Sequence, residues 1–499
     1  MALSESRLAH IAELVITLDS NAAEPLHRQL YSGIREAILS GRLPAGVRVP
    51  STRRLAEDLR VSRSTVLVAF DQLEAEGYIV GAVGSGSYVA SSIPDHLLQD
   101  RREGPAAVPG AHGAPRVAAR NHELRRFLPV PSGLYPRAFT AGVPPVDEFP
   151  WSLWHRLAAR RDRNLPRTRL LHGATTGFRP LREAIAGHLA ASRGVRCTAD
   201  RVIVCSSAQE ALELVCKVLV DPGDAVWLED PAWSGSRGAL AAAGARIVPV
   251  PVDREGLMME RALAAEPNAR LALVTPSHQF PSGVTMTLER RLALLQWAGR
   301  AGAWIVEDDY DSEYRHGGRP LTALQGLDTG DRVLYIGTFN KTLFPGLRLG
   351  YLVAPGSLME WLLPMRGIGG QHAPTLDQIT LADFIVEGHY ARHLRRLRVV
   401  SRERRDALLA AARRELPDLL EITDADTGLH TVGWLPPGVD DNRVSAAAFE
   451  QGVEAAPLSR HYIGPCPRAG LLLGYGGVTP EEIEAGMRKL AVALHATLG

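Results

Sequence analysis

Lysine is rare in this chain, and one lysine lies among residues suited to amine chemistry. The 499 residues include three lysines, Lys217, Lys341 and Lys489, against 53 arginines. Lys217 and Lys489 lie on amphipathic helical patterns, where a lysine is usually solvated. Lys341 instead follows a strand pattern in GTFNKTLFPGLRLGY, between Thr338 and Arg348. A lysine that forms a Schiff base needs a lowered pKa, and a hydroxyl and an arginine beside it can hold a cofactor's phosphate.

Polar residues at four further strand ends favour this chemical role over the alternative, a lysine in a surface salt bridge. Asp308 and Tyr310, in EDDYDSEYR, can pair with the nitrogen and the 3-oxygen of a pyridine ring. Trp233, in EDPAW, can stack on a flat ring. The other segments are SSAQEAL, whose Ser207, Ala208 and Gln209 open a helix that can bind a phosphate, and TPSHQFPSG, with His278, Gln279 and Ser282. Because strands of an open α/β sheet present their carboxyl ends at one edge, these segments are expected to converge.

The apolar segments that carry these residues have the spacing of alternating strands and helices. They begin near residues 201, 225, 245, 270, 303 and 333. This pattern is typical of βαβ units, so we predict an α/β fold with a mostly parallel central sheet. After residue 375 the pattern changes to helices and separate strands, LHTVGWL and GLLLGY, and ends with the amphipathic helix PEEIEAGMRKLAVALHATL. We therefore predict a smaller α+β lobe after the large sheet.

The first 90 residues have the patterns of a helix-turn-helix followed by a β-hairpin. A first helix is predicted over PLHRQLYSGIREAILSG. Ser51 is the expected N-cap of the next helix, STRRLAEDL, and Ser62 that of a third, SRSTVLVAFDQLEAEG. Two short helices joined by a tight turn form the geometry that enters the DNA major groove. The segment YIVGAVGSGSYVA then predicts a two-stranded wing.

Charge in this region supports contact with DNA, although the whole chain has a formal net charge of only +1. Residues 42–63 hold six arginines and two acids, whereas residues 1–40 hold three arginines and five acids. Such a basic run is often only a solvated face. Beside a helix pair and a wing, it favours contacts with phosphates.

Composition limits the classes to which the chain can belong. It is 45% hydrophobic and 22% charged, as globular proteins are, and its length predicts more than one domain. No apolar run is long enough to cross a membrane and no signal-peptide pattern is present, so a cytoplasmic protein is expected. The four cysteines lack CxxC spacing, which predicts neither a zinc site nor a disulfide framework. Residues 101–121, rich in Pro, Gly and Ala, predict a solvated linker or, alternatively, an irregular packed arm.

The N-terminal segment PSTRRLAEDLRVSRSTVLVAFDQLEAEGYIVGAVGSGSYV resembles the winged-helix domain of GntR-family regulators. This resemblance implies that operator DNA is a partner and that Arg53, Arg63, Ser64 and Thr65 contact it, with Gly86 at the wing tip. We predict a DNA-binding domain over residues 1–90, a linker over 91–134 and an effector domain over 135–499.

The effector domain resembles the fold type I, class I aminotransferase-like domain, and the whole arrangement is similar to MocR/GabR-type regulators. The segments TPSHQFPSGVTM, VEDDYDSEYR, GLH at 428–430 and APLSRHY at 456–462 fit that group. The resemblance implies pyridoxal 5'-phosphate as cofactor and a homodimer with sites at the subunit interface. It assigns the Schiff base to Lys341, the pyridine nitrogen to Asp308, the 3-oxygen to Tyr310, ring stacking to Trp233, and the phosphate to Ala208, Gln209, Thr338 and Arg348.

The expected function is a pyridoxal-phosphate-dependent transcriptional regulator that senses an amine or amino-acid-like effector, or the cofactor itself, through aldimine exchange at Lys341. Leu471 and Leu472 lie where aminotransferases present an arginine for the substrate carboxylate, which favours cofactor binding over full transamination. Whether the chain is an enzyme is left open, with at most a partial transaminase reaction expected. Two alternatives also stay open: an active aminotransferase with a secondary DNA-binding domain, and a regulator whose C-terminal pocket binds another ligand.

Overall fold

The computed structural model describes residues 22–82, 86–91, 136–163, 173–317, 321–370, 372–422 and 427–498, together with isolated positions outside these ranges. The chain divides into two compact units, Met1–Arg116 and Val117–Gly499. Most of the predicted linker, residues 91–134, lies outside the described residues, so the three domain limits stay predictions. Within the described ranges, no helix is both long enough and apolar enough to cross a membrane.

The first unit consists of three helices and a hairpin. Its elements are α1 (Leu26–Leu39), α2 (Thr52–Leu59), α3 (Arg63–Ala75), β1 (Ile79–Ala82) and β2 (Gly86–Val89). Both predicted N-caps are confirmed, because the Ser51 hydroxyl accepts a hydrogen bond from the Arg54 N–H at 3.4 Å and the Ser62 hydroxyl from the Thr65 N–H at 3.1 Å. Each cap satisfies an amide that the first helical turn leaves without a partner.

The apolar stripes of α1 and α3 form the core of this unit. The buried stripe residues are Leu30, Ile34 and Ile38 of α1 and Val66, Ala69, Phe70 and Leu73 of α3. The strands β1 and β2 pair antiparallel, from Ile79 opposite Val89 to Ala82 opposite Gly86. A helix-turn-helix with an antiparallel wing is the predicted winged-helix fold.

The second unit is built on an eight-stranded sheet. Its strands are β3 (Val202–Cys205), β4 (Ala225–Asp230), β5 (Arg246–Asp253), β6 (Gly256–Leu257), β7 (Leu271–Val274), β8 (Trp304–Asp309), β9 (Val333–Thr338) and β10 (Gly350–Val353). They lie in the order β3-β10-β9-β8-β7-β4-β5-β6. The neighbours from β9 to β5 are parallel, whereas β10 is antiparallel to both β3 and β9, and β6 is antiparallel to β5. The mostly parallel sheet is confirmed, with strands at all six predicted positions; β6 and β10 were not among them.

Helices cover this sheet, which explains why its central strands are apolar on both faces. The helices of this part are α4 (Trp151–Asp162), α5 (Arg179–Arg193), α6 (Ala208–Leu219), α7 (Ser234–Ala243), α8 (Met259–Ala265), α9 (Leu288–Ala301), α10 (Leu324–Leu327), α11 (Met359–Gly369) and α12 (Thr375–Val386). Short 3₁₀ turns lie at Val146–Glu148, Ala199–Arg201, Pro345–Leu347 and Gly356–Leu358. Every residue of β4 and of β9 is buried.

A smaller lobe follows, as predicted. It contains α13 (His389–Glu415), β11 (Glu421–Ile422), β12 (His430–Trp434), α14 (Asp441–Glu450), β13 (Ala456–Pro457), a 3₁₀ turn at Leu458–His461, β14 (Gly470–Gly474) and α15 (Pro480–Leu498). The four strands form an antiparallel sheet in the order β11-β12-β14-β13. The long helices α13 and α15 pack an apolar core against it.

Candidate functional site

Lys341 lies in the loop between β9 and β10, where contacts from distant segments hold it. Its Nζ donates a hydrogen bond to the Gly142 carbonyl at 2.6 Å, and its own carbonyl accepts one from the Tyr314 hydroxyl at 2.5 Å. Desolvation lowers the pKa of Lys341, while the carboxylates of Asp311 and Asp308 act in the opposite direction. A lowered pKa leaves more of the amine neutral and nucleophilic at neutral pH.

Asp308, the last residue but one of β8, has a buried carboxylate with unused hydrogen-bonding capacity. The side chain is 8% exposed, and within the described part of the chain its Oδ1 atom has no hydrogen-bond partner. Burial, then the neighbouring charges of Asp309 and Asp311, raise its pKa from 3.8 to about 7, against the opposing effect of Lys341. Because an unpaired buried carboxylate is costly, this oxygen suits a positively charged N–H donor.

Tyr310 follows Asp308 and contacts a histidine that the sequence analysis named without a role. The Tyr310 hydroxyl lies 2.9 Å from Nδ1 of His278, and both carboxylate oxygens of Asp311 lie 3.0 Å from the same nitrogen. The His430 ring centroid is 4.9 Å from that of His278. Burial and the charge of Asp311 raise the pKa of Tyr310 well above 10, so the phenol keeps its proton at neutral pH.

Trp233 and Gln209 meet around one glycine. The Gln209 side-chain amide donates to the Gly235 carbonyl at 3.3 Å. A Cβ atom added to Gly235 would lie 2.4 Å from Cζ2 of Trp233 and 2.6 Å from Oε1 of Gln209, so only glycine allows this approach. The partly buried indole of Trp233 is thus close to the first turn of α6.

The predicted phosphate contacts gather at the N-terminus of α6, with one exception. A Cβ atom on Gly350 would lie 3.1 Å from the backbone nitrogen of Ala208, and Gly350 pairs with Thr338 across β9 and β10. Helix N-termini favour anions because their first amides lack helical partners. Arg348 is exposed at a φ of +54°, and within the described part of the chain no contact places it beside these residues. Its role stays a prediction, like those of the other predicted site residues.

Gln279 and Ser282 brace the loop after β7. The Gln279 side-chain amide donates to the carbonyls of Pro231 and Phe280, both at 2.8 Å, and its Oε1 accepts from the Ser282 hydroxyl at 2.6 Å. These bonds connect the loops that follow β4 and β7. They hold the loop that carries His278 against the loop that carries Trp233.

The part of β14 in which the sequence analysis noted leucines instead of an arginine is apolar and buried. Leu471 and Leu472 are at most 1% exposed on β14, and Leu472 packs against Val432 and Leu458. Arg468 points elsewhere, since its guanidinium forms an ion pair with Glu421 at 2.7 Å. These positions therefore offer no guanidinium to an effector carboxylate.

In the first unit, the predicted DNA contacts lie on α2, on the first turn of α3 and on the hairpin. Arg53 and Arg63 are exposed, on α2 and at the start of α3. The Ser62 hydroxyl lies 2.7 Å from that of Ser64 and 2.8 Å from that of Thr65, which orders the start of α3. Gly86 opens β2 at a φ of +96°, and residues 83–85 lie outside the described residues, so its place at the wing tip stays a prediction.

Comparison with known proteins matches both units to families. Residues 26–89 match the family described as bacterial regulatory proteins, gntR family, and residues 139–427 match aminotransferase class I and II. The chain is 42% identical over 485 residues, 97% of its length and 96% of the relative's, to the probable rhizopine catabolism regulatory protein MocR of Rhizobium meliloti. The chain belongs to the MocR-type transcriptional regulators.

Two further similar proteins support the family and the fold assigned to this MocR-type chain. It is 33% identical to the pyridoxine biosynthesis transcriptional regulator PdxR of Corynebacterium glutamicum, over 93% of the chain and 95% of that protein. The α-aminoadipate aminotransferase LysN of Thermus thermophilus, solved with N-(5'-phosphopyridoxyl)-L-leucine, is 29% identical with a TM-score of 0.68, over 76% of the chain and 95% of LysN. The predicted family and fold are therefore confirmed: a DNA-binding GntR winged helix joined to an aminotransferase-like domain.

Gly428 of this MocR-type chain, named in the sequence analysis only as part of the GLH segment, approaches His278 more closely than the sequence could reveal. It has a φ of +93°, and a Cβ atom there would lie 2.0 Å from Cε1 of His278. We expect Gly428→Ala to destabilise the protein by roughly 2–4 kcal/mol, because backbone strain adds to displacement of the imidazole. Denaturant unfolding measures this change.

Gly438 supplies the matched control for that substitution. Its φ is +84°, but nothing lies within 4 Å of an added Cβ atom. Gly438→Ala should therefore cost only the backbone strain, about 1–2 kcal/mol. Equal losses for the two variants would show that the contact with His278 is not restrictive.

Proposed function

We propose that this MocR-type regulator binds pyridoxal 5'-phosphate at Lys341 and changes its action on operator DNA when a small amine, an amino-acid-like effector or the cofactor itself binds. The observation that carries the proposal is the buried Oδ1 of Asp308, which has no hydrogen-bond partner among the described residues. It lies in electrostatic reach of Lys341, and burial lowers the pKa of that lysine. The described residues fit this cofactor. A carboxylate suits a protonated pyridine nitrogen, and the glycine-lined N-terminus of α6 suits a phosphate.

When bound, the cofactor supplies an aldehyde that condenses with amines and exchanges one amine for another. Lys341 provides the resident amine, held by the Gly142 carbonyl. Asp308 would hold the ring nitrogen, Tyr310 the 3-oxygen and Trp233 the ring face. Ala208, Gln209, Thr338 and Arg348 would hold the phosphate. The buried Leu471 and Leu472 support recognition of the effector over full transamination.

For this exchange to regulate, the effector must bind two conformations of the protein with different affinity. A homodimer would present two DNA-binding domains to paired half-sites, as helix-turn-helix proteins commonly do. We also propose a cytoplasmic location, because operator DNA is the target.

An absorbance titration tests the proposal. Purified protein is expected to show the visible band of the bound cofactor, and a panel of amines, amino acids and amino sulfonates should contain a compound that shifts it. Protein without a band, unchanged by Lys341→Ala, would favour a pocket for another ligand. Steady turnover with an amino donor and a keto acceptor would favour an active aminotransferase.

Operator binding is tested separately at the start of α3. Arg63→Ala should weaken binding to the operator by roughly 5- to 150-fold, because a lost base contact typically costs about 1–3 kcal/mol. Arg488→Ala, an exposed arginine on α15, is the control and should leave affinity unchanged. Fluorescence anisotropy at fixed salt measures both variants. Unchanged affinity in Arg63→Ala would show that α3 is not the reading helix.

A further inference from the structure

A buried histidine–carboxylate pair holds Tyr310, and the proposed cofactor contacts do not account for it. His278 is 2% exposed and Asp311 is 1% exposed. Three oxygens surround one nitrogen of the imidazole. Both oxygens of Asp311 lie 3.0 Å from Nδ1, and the Tyr310 hydroxyl lies 2.9 Å from it. Since one nitrogen carries at most one proton, these contacts determine where the protons lie.

The carboxylate decides that Nδ1 is protonated. A bare Nδ1 lone pair facing both carboxylate oxygens of Asp311 would be repulsive, whereas an N–H there donates to them. This holds whether the imidazole is neutral or charged. Tyr310 then cannot donate its proton to Nδ1. The Tyr310 oxygen can accept the Nδ1 hydrogen only in a hydrogen bond that Asp311 shares. The hydroxyl hydrogen of Tyr310 remains available for another acceptor.

Two glycines limit the movement of this imidazole. A Cβ atom on Gly428 would lie 2.0 Å from Cε1 of His278, and one on Gly283 would lie 3.3 Å from Nε2. Gly428 is itself fixed, because its N–H donates to the Tyr314 carbonyl at 3.0 Å and its carbonyl accepts from the Tyr475 hydroxyl at 2.7 Å. A half-turn of the imidazole would place a ring carbon, in place of Nδ1, against the carboxylate of Asp311. The packing around the ring and the carboxylate therefore favour the orientation in which Nδ1 faces Asp311.

We propose that His278 and Asp311 form a positioning pair that makes Tyr310 a hydrogen-bond donor to the 3-oxygen of the cofactor. The proposal rests on the cofactor site proposed above. Asp311 accepts the Nδ1 hydrogen of His278, so Nδ1 cannot accept a hydrogen bond from Tyr310. The hydroxyl hydrogen of Tyr310 is then free to point into the cofactor site. A donor at the 3-oxygen stabilises the ionised form of that oxygen, which sets the pH at which the visible band changes.

The first experiment reads the imidazole directly, without cofactor. Protein labelled with ¹⁵N-histidine should show His278 protonated on Nδ1, with the signal assigned by its loss in His278→Asn. In Asp311→Asn the preference for Nδ1 should weaken. A wild-type signal from a neutral ring protonated on Nε2 would overturn the proposal.

The second experiment follows the pH midpoint of the visible band in cofactor-loaded protein. Tyr310→Phe and Asp311→Asn should each move the midpoint to higher pH, by roughly one to two units for the tyrosine variant, the size of a hydrogen bond to an ionised oxygen. In the double variant, Asp311→Asn should add nothing, because its effect passes through Tyr310. A purely structural role predicts additive shifts instead. Asp418→Asn, an exposed carboxylate, is the control and should shift nothing.

The outcomes separate this inference from the proposed function. Additive shifts with a normal band would refute the positioning pair and leave the cofactor site standing. Absence of any band in wild-type protein would refute the cofactor site. His278, Asp311 and His430 also offer ligand atoms within 4.8 Å of one another. Loss of the Nδ1–H signal with one equivalent of zinc, restored by EDTA, would show a metal site and overturn the pair.

Discussion

Replacing Lys341 with alanine is expected to abolish both the visible band and its response to amines. The variant removes the amine that burial makes nucleophilic and that the Gly142 carbonyl positions. In wild-type protein, borohydride reduction followed by peptide mapping should place the cofactor on Lys341. The scarcity of lysine makes this test sharp, since the whole chain contains only two others.

Those two lysines are the controls. Lys217 and Lys489 are exposed on α6 and α15, and Lys217 forms a loose ion pair with Glu213 at 3.9 Å. Alanine at either position should leave the band, its pH midpoint and the amine response unchanged. Retention of the band in Lys341→Ala, or cofactor mapped to Lys217 or Lys489, would contradict the assignment.

Two neighbouring aspartates should respond in opposite ways to replacement by asparagine. Asp309 forms a buried ion pair with Arg193 at 2.9 Å and accepts from the Tyr335 hydroxyl at 2.6 Å. Asp309→Asn leaves that guanidinium without its charge partner, so we expect a loss of about 3–5 kcal/mol in the free energy of unfolding. Asp308→Asn removes a buried carboxylate whose Oδ1 lacks a partner among the described residues, so cofactor-free protein should be as stable or more stable.

The same Asp308→Asn variant should bind the cofactor more weakly. A hydrogen bond to a charged group is worth about 1.5–3 kcal/mol, so affinity should fall roughly 10- to 150-fold. Equilibrium dialysis against pyridoxal phosphate measures affinity, and denaturant unfolding of cofactor-free protein measures stability. A variant that is less stable yet binds the cofactor normally would show that Asp308 is structural.

The difference in stability between wild type and Asp308→Asn should change with pH in a defined direction. Burial raises the pKa of Asp308 from 3.8 to about 7, so the fold favours its protonated form. That contribution to stability is fully present below pH 3.8 and is lost as pH rises through about 7. Asparagine does not ionise. The stability advantage of Asp308→Asn over wild type should therefore be absent near pH 4, grow up to about pH 7 and then level off.

Local patterns in the sequence were sufficient for the elements and for the candidate chemistry. Strand-length apolar runs separated by helical stretches predicted the parallel strands, because burial on both faces demands such runs. Ser51 and Ser62 marked their helix starts, since a cap bond joins residues only three positions apart in the chain. Lys341 stood out because lysine is scarce and its neighbours suit a phosphate. β10 was not predicted: Gly350–Val353 is a short run, and its antiparallel place depends on pairing with two distant strands.

By itself, then, the sequence determined the fold class, the winged helix and the identity of the one lysine with suitable neighbours. Only the tertiary structure decided how that lysine and its neighbours are held. The Gly142 carbonyl lies 199 residues from Lys341 in the chain, and Asp311 lies 33 residues from His278. Contacts of this kind arise when strand ends and loops meet. No local periodicity specifies them, and they decide which buried groups keep an unused hydrogen bond for a ligand.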